Sequence, residues 1–194
     1  MSKPTSSSTK SKPRRPLPGD LPRETRLSRM LRVDHAGEFG AARIYEGQLA
    51  VFGDTHRFTP IIREMKAQEQ KHLDTFDELL NERQVRPTLL GPLWHGAGFA
   101  LGAATALMGE RAAMACTAAV EEVIDEHYAE QSAELENDPD ESDLRATIEE
   151  FRADEAEHRE TALSHDAEKT PGYPVMASLI KLGCRAAIWA SQRV

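Results

Sequence analysis

The sequence AQEQKHLDTF, residues 67–76, places a glutamate and a histidine three positions apart, at Glu69 and His72. The sequence DEAEHRE, residues 154–160, repeats this spacing with Glu155 and His158. In an α-helix a step of three residues turns the chain by about 300°, so the two side chains of each pair project from one face. A single Glu-x-x-His pair arises often by chance in a charged helix, whereas two such pairs in one chain indicate a shared site.

A lone glutamate precedes each pair by about the length of a helical hairpin. Glu38 lies 31 residues before Glu69, and Glu121 lies 34 residues before Glu155. Half a helix, a short turn and half of the next helix take up about that many residues, so antiparallel helices place each lone glutamate level with its pair. Ferritin-like di-metal proteins contain one Glu on each of two helices and Glu-x-x-His on the other two. We therefore predict an all-α protein built on a ferritin-like four-helix bundle.

The charge of this ligand set favours two divalent cations. Four glutamates carry four negative charges, and two divalent ions balance them, whereas four clustered carboxylates without metal would repel one another and raise their own pKa values. Oxygen-rich ligation with one imidazole per metal suits iron or manganese better than zinc. We predict two iron ions per chain, with these catalytic ligands: Glu38, Glu69, His72, Glu121, Glu155 and His158.

Small residues surround the lone glutamates. Gly37 and Gly40 flank Glu38, and a glycine inside a helix costs about 1 kcal/mol relative to alanine, so it usually has a packing reason. Close approach of helices around a metal cluster is one reason, and a tight turn is the alternative. The uncharged run at 112–120 favours burial of Glu121. We interpret other nearby acids as surface residues: Glu64, Glu122, Glu126, Glu157 and Glu160.

Four further residues are candidates for a supporting role around the metals. Asp34 precedes Glu38 by four positions, so it shares that helical face and is expected to orient a ligand histidine through its free N–H. Tyr45 and Tyr128 each follow a lone glutamate by seven positions, which predicts hydrogen-bonding or redox groups, with packed core tyrosines as the alternative. His127 is adjacent to Tyr128 but less well placed on that face.

Composition and charge restrict the class of protein. The chain has 194 residues and a formal net charge of -8, which argues against a nucleic-acid-binding protein. Cys116 and Cys184 lie in apolar surroundings without CxxC spacing, which predicts buried thiols in a reducing compartment. Residues 1–24 are basic and rich in Pro and Ser, which predicts a disordered leader before one domain at 25–194. A mitochondrial transit peptide is the alternative interpretation of the leader.

Helical patterns run through the rest of the chain, and two of the segments are unusually apolar. Residues 87–109 contain no charged side chain, and 173–192 contain only Lys181 and Arg185. Three interpretations are open: buried core helices, a helical pair lying in one leaflet with Trp94 and Trp189 near the headgroups, and a true membrane span. Breaks at Gly, Pro, Asn and Asp clusters predict helices near 25–53, 57–84, 88–108, 110–136, 141–166 and 173–192.

The chain also resembles a known family from about residue 27 to its end. Six segments carry this resemblance: RVDHAGEFGAARIYEGQLAV (32–51), AQEQKHLDTF (67–76), VRPTLLGPLWHGAGFALGAATALMG (85–109), ACTAAVEEVIDEHY (115–128), DEAEHRE (154–160) and LGCRAAIWAS (182–191). They are similar to the demethoxyubiquinone hydroxylase family of ubiquinone biosynthesis. Two departures, Phe39 where a Tyr is usual and Ala42 for a common Asn, do not affect a ligand. The family's metal ligands match the six residues chosen by spacing.

The resemblance implies a substrate that spacing does not provide. Proteins of this family are peripheral membrane monooxygenases that hydroxylate a polyprenylated methoxy-benzoquinone with two irons, O2 and electrons from NADH, delivered directly or through the quinol. Glu69 and Glu155 would bridge the metals, with Glu38 and His72 on one side and Glu121 and His158 on the other. The apolar segments 87–109 and 173–192 would then contact the membrane and give the isoprenoid tail a route from the bilayer.

The resemblance implies a membrane-associated location, and the short Pro-rich leader favours the cytoplasmic face of a bacterial inner membrane, with the matrix side of the mitochondrial inner membrane as the alternative. Homo-oligomers and contacts with other ubiquinone-biosynthesis proteins remain open. One rival hypothesis is a ferritin-like iron-binding or ferroxidase protein, which has no use for the uncharged stretch. A second rival is a lipid-binding scaffold in which the acids are structural, which predicts a protein without iron.

Overall fold

The computed structural model describes Gly19 and residues 21–194, and the described part of the chain is all-helical. Most of the predicted leader, 1–24, lies outside the described residues. Two one-turn 3-10 helices, Pro139–Glu141 and Ala167–Lys169, accompany six α-helices. The six predicted helices are confirmed, and their ends differ from the prediction by at most three residues. The α-helices are α1 (Arg23–Phe52), α2 (Thr59–Glu82), α3 (Gly91–Leu107), α4 (Glu110–Leu135), α5 (Ser142–Ser164) and α6 (Tyr173–Ser191).

Local chemistry explains where these helices begin and end. Gly53, Gly109 and Gly172 have φ of 70°, 113° and 75° beside helix ends, a left-handed conformation that costs glycine little. Pro92 lies in the first turn of α3, where a proline removes no helical hydrogen bond. The predicted start of this helix at residue 88 was therefore too early.

Four helices form a bundle and two pack outside it. Helices α1 and α2 form one hairpin, α4 and α5 form another, and contacts of α1 with α4 and α2 with α5 join the two hairpins. Helix α3 packs on α1, and α6 packs on α4. The hairpins are the two predicted from the spacing of the glutamates.

Two apolar layers enclose the level at which the predicted ligands lie. On α1, for example, Leu31 belongs to one core cluster and Tyr45 to the other, and Glu38 lies between them along the helix. On α4 the corresponding cluster members are Tyr128 and Met114, with Glu121 between them. The ligand sets of α2 and α5 lie between members of the same two clusters. Polar side chains at this level are therefore separated from solvent along the bundle axis.

Glycines allow α3 to touch the backbone of α1. A Cβ added at Gly102 would lie 1.9 Å from the Ile44 carbonyl oxygen, and one at Gly47 would lie 2.1 Å from the Phe99 carbonyl oxygen. A Cβ added at Gly37 or Gly40 meets nothing within 4 Å, although a Cβ at Gly98 of α3 would lie 2.9 Å from the Gly40 carbonyl oxygen, so the helices do approach closely at Gly40. The alternative of a tight turn was wrong, because both glycines lie inside α1. Their missing side chains leave open space beside Glu38.

The apolar helices α3 and α6 present large hydrophobic side chains on the outside of the bundle. Only Gly102, Thr105 and Ala106 are buried in α3, and α6 buries Ala177, Ile180 and Ser191. The interpretation as buried core helices was therefore wrong. Within the described residues no helix combines the length and the apolar character needed to cross a bilayer. The exposed side chains include Leu93, Phe99, Leu179, Leu182 and Trp189.

Candidate metal centre

The six predicted ligand side chains come together in the centre of the bundle, and all six are buried. They form two overlapping groups, in each of which one ligand atom per residue lies within 4.8 Å of the others. Glu69 and Glu155 belong to both groups. The first group adds Glu38 and His72, and the second adds Glu121 and His158. Each group thus offers one imidazole and three carboxylates.

Both histidines direct Nδ1 toward the carboxylates. His72 Nδ1 lies 3.2 Å from Glu38 Oε2 and 3.2 Å from Glu155 Oε1. His158 Nδ1 lies 3.1 Å from Glu69 Oε1 and 3.1 Å from Glu155 Oε2. The Nδ1 atoms are therefore the nitrogens that face the shared centre.

The outward nitrogens have partners that the sequence reasoning missed. His72 Nε2 donates to Asp154 Oδ2 at 3.0 Å, and His158 Nε2 donates to Gln68 Oε1 at 2.8 Å. Each partner directly precedes the glutamate of the other Glu-x-x-His pair, so α2 and α5 hold each other's histidine. The sequence does contain a signal for these partners, since a polar residue stands directly before the glutamate of each Glu-x-x-His pair. Such contacts fix the ring orientation and leave the other nitrogen free for a metal.

Two tyrosines donate hydrogen bonds to the lone glutamates. Tyr45 Oη donates to Glu121 Oε1 at 2.7 Å, and Tyr128 Oη donates to Glu38 Oε1. Burial and the neighbouring glutamates raise the pKa of both phenols well above the usual value, so the phenols keep their protons. The two tyrosines therefore hold one carboxylate oxygen of each lone glutamate.

Several carboxylate oxygens in the cluster lack a partner. Among the described residues, Glu69 Oε2 and Glu121 Oε2 are buried and accept no hydrogen bond. Burying an ionised carboxylate without a partner costs on the order of several kcal/mol, because the charged group loses its hydration. A cation that binds these oxygens removes that cost, and the donor set of oxygen and imidazole suits iron or manganese. The residues present therefore fit a metal pair.

Electrostatics indicate the same need for positive charge. Burial and repulsion from Glu155 raise the pKa of Glu69 and Glu121 well above the usual value. Burial opposes ionisation of Glu155 too, but hydrogen bonds from His158 and His72 lower its pKa to about 2. Burial opposes a charge on His72, yet its hydrogen bonds to Glu155 and Glu38 raise its pKa to about 10. Without metal, the cluster therefore favours protonated Glu69, Glu121 and His72, which reduces its negative charge.

Asp34 does not contact a ligand histidine, contrary to the sequence-based expectation. Its Oδ1 accepts a hydrogen bond of 2.5 Å from Gln131 Nε2 and lies 3.6 Å from His127 Nε2. The reason is the direction of its side chain, which faces α4 rather than α2. Glu122, which follows Glu121, is half-buried away from the cluster and pairs with Lys181 and Arg159.

An apolar cavity of about 470 Å³ lies beside the cluster, between α1, α3, α4 and α6. Its wall includes Glu38 and Tyr128 from the cluster, Gly37 and Gly40 from α1, and mostly aliphatic side chains of α3 and α6. His127 also borders this cavity and, on another side, a smaller cavity of about 280 Å³. The larger cavity gives an apolar ligand a place next to the buried carboxylates.

Comparison with known proteins agrees with this site. Residues 25–191 match the family model described as ubiquinone biosynthesis protein COQ7. A Rhodospirillum rubrum protein named 3-demethoxyubiquinol 3-hydroxylase is 54% identical over 178 residues, covering 92% of this chain and 83% of that protein. The human NADPH-dependent 3-demethoxyubiquinone 3-hydroxylase, mitochondrial, is 52% identical, covering 87% and 78% of the two chains. The Saccharomyces cerevisiae 5-demethoxyubiquinone hydroxylase, mitochondrial, is 44% identical with the same coverage. The chain therefore belongs to the family of the ubiquinone biosynthesis protein COQ7.

Proposed function

We propose that this chain is a di-iron monooxygenase that hydroxylates a polyprenylated methoxy-benzoquinone, demethoxyubiquinone, in ubiquinone biosynthesis. The enzyme class follows from the family, whose similar members are named demethoxyubiquinone or demethoxyubiquinol hydroxylases. The observation that carries the chemistry is the apolar cavity whose wall includes Glu38 and Tyr128 of the buried carboxylate cluster. A ferritin-like iron store would have no use for such a cavity.

The ligand assignment rests on the two overlapping groups. Glu69 and Glu155 belong to both, which supports bridging roles for them. Glu38 with His72 would complete one metal position, and Glu121 with His158 the other. Two iron ions bound there would supply the reducing chemistry that O2 needs before one of its atoms enters the ring. This arrangement of ligands supports the ferritin-like assignment of the bundle.

The protein's own groups prepare the site for this reaction. Tyr45 and Tyr128 each hold one oxygen of a lone glutamate and leave the other carboxylate oxygen directed to the centre. Asp154 and Gln68 hold the histidine rings. The mostly aliphatic wall of the cavity lowers the local dielectric constant next to Glu38, which strengthens electrostatic interactions there.

The reductant and the membrane contact are parts of the same proposal. Several relatives are named as NADPH-dependent, which supports a nicotinamide nucleotide as the source of electrons, used directly or through the quinol. The exposed apolar side chains belong to α3 and α6, two of the four helices that line the cavity. This position supports peripheral contact with a membrane, from which an isoprenoid tail would enter between α3 and α6.

Iron content and product formation in a matched pair of variants test the function. Glu121→Gln removes the negative charge of a ligand but keeps its shape, and we expect fewer than two irons per chain and a loss of quinone hydroxylation of more than about a hundredfold. Glu122→Gln makes the same change one position away and is expected to keep both. Full iron content and activity in Glu121→Gln would disprove the assigned site.

A further inference from the structure

A largely buried polar cluster reaches the wall of the apolar cavity through Asp34 and His127, and none of its members belongs to the two ligand groups. It consists of Asp34 on α1 and His127 and Gln131 on α4, which are one helical turn apart. The Asp34 side chain is fully covered, and Gln131 is 5% exposed. Buried polar groups in an apolar wall cost stability unless they are paired and usually have a structural or functional reason.

The two hydrogens of the Gln131 amide are both committed. Gln131 Nε2 donates to Asp34 Oδ1 at 2.5 Å and lies 2.8 Å from His127 Nε2, which accepts. The imidazole nitrogen that accepts carries no proton, so in neutral His127 the proton is on Nδ1. Burial lowers the pKa of His127 to about 4, which keeps the ring neutral near pH 7. Gln131 therefore selects one tautomer of His127.

The indole and phenol donors on the cavity wall are engaged elsewhere. Trp94 Nε1 donates to Ser191 Oγ at 3.0 Å, and the Tyr128 hydroxyl donates to Glu38. The Asp34 side chain is covered, whereas the His127 side chain keeps 15% of its surface exposed. The Trp94 N–H is thus satisfied, whereas the described residues offer no acceptor for the N–H of the His127 ring.

We propose that Gln131 is a positioning residue that fixes His127 with Nε2 as acceptor, so that the Nδ1–H is available to a ring oxygen of the quinone in the apolar cavity. This inference rests on the proposed function, because it takes a quinone as the ligand. It assigns Asp34 a role as the second acceptor that holds the Gln131 amide in this orientation. The metals need not contact any member of this cluster.

Quinone binding provides a test that does not depend on turnover. The chain has two tryptophans, and Trp94 lines the cavity. In a Trp189→Phe background, quenching of Trp94 fluorescence therefore reports binding of a short-tail methoxy-benzoquinone to the iron-loaded protein. We expect Gln131→Leu to weaken this binding about fivefold, the value of one hydrogen bond. Gln48→Leu removes another buried amide, whose Nε2 donates to the Ala113 carbonyl oxygen, and is expected to leave binding unchanged.

A double-mutant cycle separates positioning from a general structural role. Because Gln131 acts through the His127 ring, His127→Ala should abolish the effect of Gln131→Leu, and the double variant should bind no worse than His127→Ala alone. The proposal would be overturned if the affinity losses of the two single variants multiplied in the double variant. It would also be overturned if Gln131→Leu bound quinone as tightly as the wild type, or if it lost iron.

The same data separate this proposal from the function on which it rests. A wild-type protein that binds the quinone but does not hydroxylate it would contradict the proposed function and leave the role of Gln131 intact. A wild-type protein that binds no quinone would overturn the positioning role too.

Discussion

At the scale of single residues, charge and spacing identified the cluster and the two tyrosines that donate to its lone glutamates, but not the side chains that hold the ligand histidines. The spacing of Glu38, Glu69, Glu121 and Glu155 is set by helical hairpins, which a sequence pattern reports directly. The side chain that holds a ligand histidine depends on which neighbouring helix it faces. Asp34 shares the face of Glu38 yet bonds to Gln131, so the helical period alone could not identify its partner.

The contact between Asp154 and His72 leads to a prediction at this scale. Asp154→Ala removes the carboxylate that accepts from His72 Nε2, so the ring loses its orientation, and we expect iron affinity to fall about 10- to 100-fold. A competition titration with an iron chelator measures this change. Glu157→Ala removes an exposed acid on the same helix and should keep the original affinity; an equal loss in both variants would show that Asp154 acts only through its charge.

At the scale of helices, their positions followed from breaks in the sequence, but the surroundings of α3 and α6 did not. An apolar helix has the same composition whether it packs in a core or lies on a surface, so the pattern left three interpretations open. Backbone contact between α1 and α3 at Gly47 and Gly102 fixes one face of α3 against the bundle. The opposite face then carries the exposed apolar side chains.

The exposed face of α6 predicts binding to lipid. Leu179 and Leu182 are 64% and 65% exposed, and burying each leucine in a bilayer interface is worth about 1.5–3 kcal/mol. We expect the double variant Leu179→Glu with Leu182→Glu to bind phosphatidylcholine vesicles at least about tenfold more weakly in a flotation assay. The control, Ala67→Glu with Gln70→Glu, adds the same charge to exposed positions of α2. Equal vesicle binding by both double variants would rule out α6 as the contact surface.

At the scale of the whole molecule, four buried glutamates make stability depend on metal and pH together. In the metal-free protein the raised pKa values of Glu69 and Glu121 mean that the folded state keeps protons which the unfolded chain loses above about pH 4.5. His72, raised to about 10, acts in the same direction above about pH 6.5. Glu155, with its pKa lowered to about 2, adds no dependence here, and His127, lowered to about 4, opposes the trend only until the unfolded chain loses that proton, by about pH 7.5.

Glu69, Glu121 and His72 together outweigh His127, so above about pH 6.5 the folded state binds more protons than the unfolded state. We expect the free energy of unfolding of the metal-free protein to fall between about pH 6.5 and pH 8.5, because the unfolded state binds fewer protons than the folded state there. Iron(II) replaces those protons, so the anaerobic iron-loaded protein should lose less stability over this interval. Denaturant unfolding at both pH values measures the effect. Metal-free stability that rises over the interval would contradict the account of the cluster.

The central claim is that two irons bind between the hairpins and share two glutamates. Anomalous scattering at the iron edge, measured on crystals of the iron-loaded protein, tests this most directly. We expect two peaks per chain, one beside Glu38 and His72 and one beside Glu121 and His158, both in contact with Glu69 and Glu155. A single peak, or peaks away from these side chains, would contradict it.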